Sequence, residues 1–465
     1  MEKIKKRKTI MQILLLLLLL IIAIPFGMYF YNQYRYNSVQ NKFKEKFLSN
    51  KANKIPKFVS TTLPFSHQYV DNGESMPFLD QILVHPFQDE RVVVMQTGGA
   101  GQNNPVLEYK DGRFIDIAEQ LNLTGLKNEA AYCISEGDID KDGAKEIIVG
   151  YASGIYVSKY DSAQKKYADP VKLFEIPDAS IPVNIALADT RNSGNLDMYV
   201  CTFVDRKHFV SARYHDLSNK RRNLFMVNNG DGTFTEKTKE AGLELIENTY
   251  VSKFVDLNND GKQDLVLSLN TNVGILYENL GNGTFKKHNL PIDYGFWMGL
   301  SVEKLDNKTN KYHILLSNIG DSYPEFIVRG DMKKDEVFDP NYALLEQVNG
   351  FEFKNVTKEK NLYSNVFGWG VVLADLNNNG RKDAILTENY IKFPAKIHEK
   401  FPSKGKVLLQ NADGTFAPFQ EETGLLNPHF GFRVITHDFT GNGYQDVIIG
   451  NIQGPMMFYK NNGIK

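Results

Sequence analysis

The 465-residue chain has only two cysteines, Cys133 and Cys201, so no disulfide framework can staple it. No Cys/His cluster has zinc-ligand spacing either. A formal net charge of −1 lacks the basic excess of a dedicated nucleic-acid binder, and no nucleic-acid partner is expected. Catalytic motifs are missing too. There is no HExxH, no GxSxG elbow and no phosphate-cradling glycine-rich loop, and the nine histidines are scattered. The expectation is therefore a protein that is not an enzyme. With 42% hydrophobic and 23% charged residues, intrinsic disorder is excluded as well. What the chain does hold in quantity is 36 glycines and 30 phenylalanines beside many Asn and Asp. That is turn chemistry and aromatic packing, and it points to an all-β protein.

Charge and apolar residues are unevenly spread. Lys3, Lys5, Lys6, Arg7 and Lys8 outweigh Glu2, and Ile10 to Phe30 follows without a charge. That run matches the roughly 20 apolar residues a membrane-spanning helix needs. A cleaved signal peptide is the alternative, but Pro25-Phe26-Gly27 has no small-x-small cleavage pattern. Tyr29, Tyr31, Tyr34 and Tyr36 crowd the far end as interfacial aromatics do. The reading is a cytoplasmic tail over 1–9, a transmembrane signal anchor over 10–30, a lysine-rich stalk over 31–64 and one globular unit over 65–465. By the positive-inside bias this is a single-pass membrane protein with an extracytoplasmic globular part, periplasmic or at the cell surface.

From there the chain repeats. An acidic loop precedes a short β-branched run four times: Asp138 to Glu146 before IIVG, Asp256 to Asp264 before LVLS, Asp375 to Asp383 before AILT, and Asp438 to Asp446 before VIIG. A weaker copy runs from Asp189 to Asp197, and copies near Asp306 and His85 keep only the strand. Between loops lies a hairpin such as LFMVNNGDGTF, ILYENLGNGTF or VLLQNADGTF, whose Asx-Gly turn is a strong hairpin signal. Strand, acidic loop, strand, hairpin and strand make a four-stranded blade. Seven blades of about 57 residues fill 65–465, which predicts a seven-bladed β-propeller.

Oxygen ligands at loop positions 1, 3, 5 and 9, glycine at 6 and a carbonyl at 7 describe a calcium loop. The ligands are Asp138, Asp140, Asp142, Ala144 and Glu146; Asp256, Asn258, Asp260, Lys262 and Asp264; Asp375, Asn377, Asn379, Arg381 and Asp383; and Asp438, Asn442, Tyr444 and Asp446. Ala144, Lys262, Arg381 and Tyr444 enter through their carbonyls. An all-oxygen set favours Ca2+ over zinc or copper. An EF-hand is excluded because position 12 is Val149, Leu267, Leu386 or Ile449, each inside a β-run. At Asp189 the third position is Arg191, whose cation is expected to replace the ion.

On these loops and hairpins the chain resembles the FG-GAP/VCBS repeat family, which includes the integrin α-subunit propellers. The resemblance spans most of 85–463. It implies a seven-bladed propeller with calcium at blade edges, serving adhesion or ligand binding. Some family members are attached to enzymes, so it names no activity.

Three long insertions fall at one equivalent place in their repeats, 203–222, 319–341 and 388–406, and are expected to cluster on one face. Arg206, Lys207, Arg213, Arg221 and Arg222 in the first, with Lys392, Lys396 and Phe401 in the third, suggest a basic, aromatic surface for a protein or acidic glycan ligand. The middle insertion carries Arg329-Gly330-Asp331, a tripeptide best explained by chance. The functional expectation is a membrane-anchored, calcium-binding adhesion or binding module. The alternatives are a propeller enzyme acting on sugars or a redox cofactor at its central channel, or a structural subunit of an envelope complex.

Overall fold

The computed structural model describes residues 31, 34, 37–68, 81–87, 91–177, 179–205, 207–208, 212–320, 329–364, 366–388, 404–452 and 454–464. The expected anchor at 10–30 lies outside them. Among the described residues no helix is long and apolar enough to cross a membrane.

Seven four-stranded antiparallel sheets form a ring. The blades run over 82–116, 131–174, 180–236, 249–289, 297–355, 368–418 and 431–464. Their innermost strands adjoin in order, and the last, Gly431–His437, lies against the first, Ile82–Pro86. The second strand of each blade is covered on both faces by its neighbours. Asp264–Leu269, Asp383–Glu388 and Asp446–Asn451 are accordingly buried at every position. A strand buried on both faces reads as a continuous apolar run, which is why LVLS, AILT and VIIG do not alternate. Hairpin turns set the next register: Asn228 pairs with Phe234, Asn279 with Phe285 and Gln410 with Phe416. Gly232, Gly283 and Gly414 sit at φ +81° in these turns, a left-handed conformation that favours glycine.

The first and fifth repeats, weakly marked in sequence, are complete four-stranded sheets. The fifth lacks an acidic loop and instead joins the sixth through its backbone, with Lys382 N–H donating to Leu305 O at 2.8 Å. The ring closes by sharing a sheet between the chain ends. Pro56–Ser66 pairs with Pro455–Ile464 as the outer strand of the seventh blade. Closure of this kind ties the two chain ends together in one sheet and leaves Pro56–Ser66 as its outer edge.

This strand corrects the stalk expected at 31–64. Residues 37–49 are helical and lie on the sixth and seventh blades. Phe47 is fully buried, 4.8 Å from the Phe419 ring, with Phe43 beside it in the same apolar cluster. Gln40 and Asn361 exchange amide hydrogen bonds, and Lys44 pairs with Glu422 at 2.7 Å. A single i, i+4 aromatic pair in a lysine-rich stretch is too little apolar surface to stand out in sequence.

The ring axis is filled at one end. Trp369 of the sixth blade contacts Tyr250 of the fourth at 5.8 Å and Phe432 of the seventh at 4.8 Å. The fourth and sixth blades are not neighbours, so these buried rings meet across the axis.

Candidate metal centres

Each acidic loop is a tight turn closed on its own first carboxylate. The backbone N–H at position 6 donates to the carboxylate at position 1: Gly143 to Asp138 (3.1 Å), Gly261 to Asp256 (2.9 Å), Gly380 to Asp375 (2.7 Å) and Gly443 to Asp438 (2.7 Å). Glycine there has φ between +77° and +90°, which the turn requires.

The position-9 carboxylates are buried: Glu146, Asp264, Asp383 and Asp446 have no exposed surface. Burial, with the other loop carboxylates adding to it, raises Glu146 to about 7, Asp264 to about 6 and Asp383 to about 8. Asp446 is raised for the same reasons. A buried carboxylate beside other carboxylates lacks a counter-charge, and a cation supplies one.

The loops differ in readiness. Among the described residues, one group of three acidic side chains brings its oxygens within 4.8 Å of one another: Asp138, Asp140 and Glu146. Within it Asp138 Oδ1 and Glu146 Oε1 are buried without a hydrogen-bond partner. Asp142 turns aside to accept from Ala144 N–H at 2.8 Å, and Lys159 Nζ reaches Asp140 at 2.6 Å. In the sixth blade, Asn377 donates to Lys54 O at 2.8 Å, which leaves its buried Oδ1 without a partner. There Asn379 Oδ1 accepts from Arg381 N–H, and the Arg381 guanidinium points away to Asn53 at 2.6 Å. In the fourth blade, Asp260 turns one oxygen to Lys262 Nζ at 2.8 Å and to Asn258 Nδ2 at 3.1 Å. In the seventh, Asn442 Oδ1 accepts from Tyr444 N–H and Asn442 Nδ2 donates to Asn461 O at 2.7 Å. The third blade substitutes a cation of its own: Arg191 Nη2 and Nε donate to the two oxygens of fully buried Asp197 at 2.9 and 3.1 Å.

One group of residues escapes sequence reasoning. In the third, fourth and seventh blades an Asn on the third strand rivets two blades. Its backbone N–H donates to the position-9 carboxylate of its own blade: Asn228 to Asp197, Asn279 to Asp264 and Asn461 to Asp446, at 2.7 to 2.9 Å. Its side chain donates to the loop of the preceding blade, at Ile139 O, Thr190 O and Leu376 O respectively. In the fifth blade Gln347 does the same to Leu257 O at 2.7 Å. The repeated Asn was visible in the sequence, but turn chemistry alone accounts for it there. The consequence is that a cation held in one loop bears on the seam to the next blade.

The first two insertions do meet. Tyr214, His215 and Asp216 donate their backbone N–H groups to the Asp331 carboxylate at 3.0, 2.8 and 3.2 Å, and His215 Nε2 contacts Glu336 at 2.7 Å. Burial opposes ionisation of Asp331, yet these bonds hold its pKa below the usual carboxylate range. Arg329 stacks on Phe338 at 4.0 Å. Asp331 of the Arg-Gly-Asp tripeptide therefore clasps two loops together. The expected basic surface is thinner than the residue count implies. Arg221 donates to Ala179 O, Ser218 O and Lys220 O, Arg222 pairs with Glu236, and Lys220 is buried against Glu247 at 2.6 Å. Ala179, Glu236 and Glu247 belong to other segments of the chain, out of reach of a local reading. Lys207 is exposed and Arg213 half-buried, while Arg206, Lys392, Lys396 and Phe401 lie outside the described residues. Cys133 and Cys201 are free, buried thiols.

No family model and no curated protein matches the chain. Among solved structures, an Agrocybe aegerita lectin described for specific recognition of non-reducing terminal N-acetylglucosamine is 17% identical. The match covers 81% of this chain and 93% of that one, with a TM-score of 0.43. BBS1N in complex with ARL6DN is 10% identical over 86% of this chain and 96% of that one, with a TM-score of 0.47. At these values neither likeness bears on ligand or partner. The seven closed sheets carry the fold by themselves.

Proposed function

We propose that the chain is a calcium-stabilised binding propeller of the FG-GAP/VCBS type, tethered to a membrane by 10–30 and presented on its extracytoplasmic side. The observation that carries the calcium reading is the set of buried, unpartnered oxygens at ligand positions: Asp138 Oδ1, Glu146 Oε1 and Asn377 Oδ1. Buried polar atoms are ordinarily paired, so oxygens left bare inside acidic turns fit a cation. Asp138, Asp140, Glu146 and the Ala144 carbonyl would hold it in the second blade, and Asp375, Asn377, Asn379, the Arg381 carbonyl and Asp383 in the sixth. The ion supplies positive charge to carboxylates that the fold has removed from water. The loop of the fourth blade carries the same ligand pattern, and that of the seventh carries it without the ligand at position 3.

Binding rather than catalysis is the proposed role, for a protein or acidic glycan. The rings of Tyr250, Trp369 and Phe432 close one end of the axis, where a channel enzyme would need an opening. The test is titration of chelator-stripped full-length protein with calcium or magnesium, followed by calorimetry and thermal unfolding. Calcium binding with a raised unfolding midpoint is expected, and magnesium should do little. No calcium effect on either readout refutes the metal reading. Release from membranes by an alkaline carbonate wash refutes the anchor.

A further inference from the structure

A cavity of about 450 Å³ opens between the first and second blades, beside the loop that starts at Asp138. Four aromatic side chains, packed on one another, form one wall of it. His85 and Phe87 stand at the end of the inner strand of the first blade, with centroids 4.6 Å apart. Tyr160 and Tyr167 face them at 5.1 Å from one another, and the circuit closes through Phe87–Tyr160 and His85–Tyr167, both 6.3 Å. The tyrosines belong to a two-stranded hairpin, Tyr160–Asp161 with Lys166–Tyr167, inserted ahead of the outer strand of the second blade. No other blade has such a hairpin among the described residues.

The floor of this cleft is locked. Tyr167 Oη lies 3.0 Å from His85 Nε2 and donates to Lys145 O. The other ring nitrogen of His85 contacts the Glu136 carboxylate, which also accepts from Lys145 Nζ at 2.6 Å. His85 is 2% exposed and Tyr167 3%, so neither ring is free to turn. The rim, by contrast, is cationic and open to solvent. Exposed Lys165 and half-exposed Lys145 line it, and the Arg91 guanidinium stacks on Phe87 at 4.9 Å. Lys165 closes the turn of the hairpin at φ +54°.

A locked aromatic wall that presents Tyr160 beneath ammonium groups recognises a ring that has an apolar face and an anionic substituent. Two acidic side chains beside the cleft are already engaged: Glu136 below by His85 and Lys145, and Asp161 by the N–H groups of Ala163 and Gln164. We propose that this cleft binds a carboxylate-bearing pyranose, the uronate unit of an acidic glycan. The sugar face stacks on Tyr160, and the carboxylate meets Lys165 and Lys145. The volume suits one or two sugar units. Gly143 and Ala144 of the acidic loop form part of the wall, so a cation in that loop removes negative charge from beside the incoming carboxylate. This inference rests on the reading of the chain as a binding propeller and names its ligand class.

The experiment is calorimetric titration of the full chain, in calcium, with a glucuronate disaccharide, its neutral glucose counterpart and inorganic phosphate. Wild type should bind the uronate and bind the neutral sugar at least about tenfold more weakly, the loss expected for one charge-assisted contact. Phosphate should not compete with the uronate. Lys165→Gly removes the ammonium and suits the left-handed backbone, so it should keep the fold while weakening uronate binding by a similar factor. Tyr160→Ala should abolish it. Failure of wild type to bind the uronate, equal affinity for the neutral sugar, competition by phosphate or an unchanged Lys165→Gly variant each overturns the proposal. Calcium-dependent unfolding on the same samples reads the metal proposal separately. A calcium shift without uronate binding refutes the cleft alone.

Discussion

Replacing Glu146 by glutamine keeps an oxygen to accept from Ile139 N–H, now at 2.8 Å, and keeps the side-chain volume while removing the charge. In the wild-type protein this carboxyl is fully buried and its Oε1 has no partner. Burial, with Asp140, Asp142 and Asp138 nearby, raises its pKa from 4.5 to about 7. The folded chain therefore holds a proton across that window which the unfolded chain gives up. The resulting stability is fully present below pH 4.5 and is lost as pH rises through about 7. A shift of that size corresponds to about 3 kcal/mol. In chelator above pH 7, Glu146→Gln is expected to be more stable than wild type by up to about that amount. Its stability should also lack the corresponding decline with pH. In calcium that advantage should shrink by most of its size. One site with a dissociation constant on the order of 10⁻⁴ M, at about 2 mM calcium, adds about 2 kcal/mol, and the variant should gain little of it. Urea unfolding followed by tryptophan fluorescence, with and without chelator, measures both effects. Equal destabilisation of the variant under both conditions would show Glu146 to be a structural hydrogen-bond acceptor and refute the reasoning.

Two further outcomes probe the same physics elsewhere. Arg191→Ala strands the buried Asp197 carboxylate and should cost about 3 kcal/mol in chelator, with calcium recovering part of the loss as the loop regains a cation. A loss under about 1 kcal/mol in urea unfolding contradicts the view that this guanidinium stands in for an ion. Phe47→Ala should cost about 3–5 kcal/mol, because the ring is wholly buried against Phe419. A silent substitution, or rapid proteolysis within 37–49 in the intact protein, would mean that the helix does not dock as described.

The blade repeat was legible because it is local chemistry. Position-6 glycines, Asx-rich turns and hairpin phenylalanines act over nine residues or fewer, so the pattern survives reading one window at a time. Where a blade lost its loop, as in the first and fifth repeats, the four-stranded sheet formed all the same. Packing against both neighbours, rather than turn chemistry, holds those strands. The same limit explains the arginines. A guanidinium at 221 or 222 reads as free surface until Ala179 and Glu236 are brought beside it.

The sequence by itself determined an all-β chain of repeated acidic loops and hairpins, and placed an apolar run at 10–30, since composition and short spacing encode turns, strands and long hydrophobic segments. Tertiary structure alone decided which residues meet across blades. It put Pro56–Ser66 into the last sheet and folded the supposed stalk onto the ring. It turned the hairpin asparagines into rivets between blades, and it enclosed an aromatic cleft between His85 and a hairpin about 80 positions later. Contacts of that range depend on ring closure, which no local window contains.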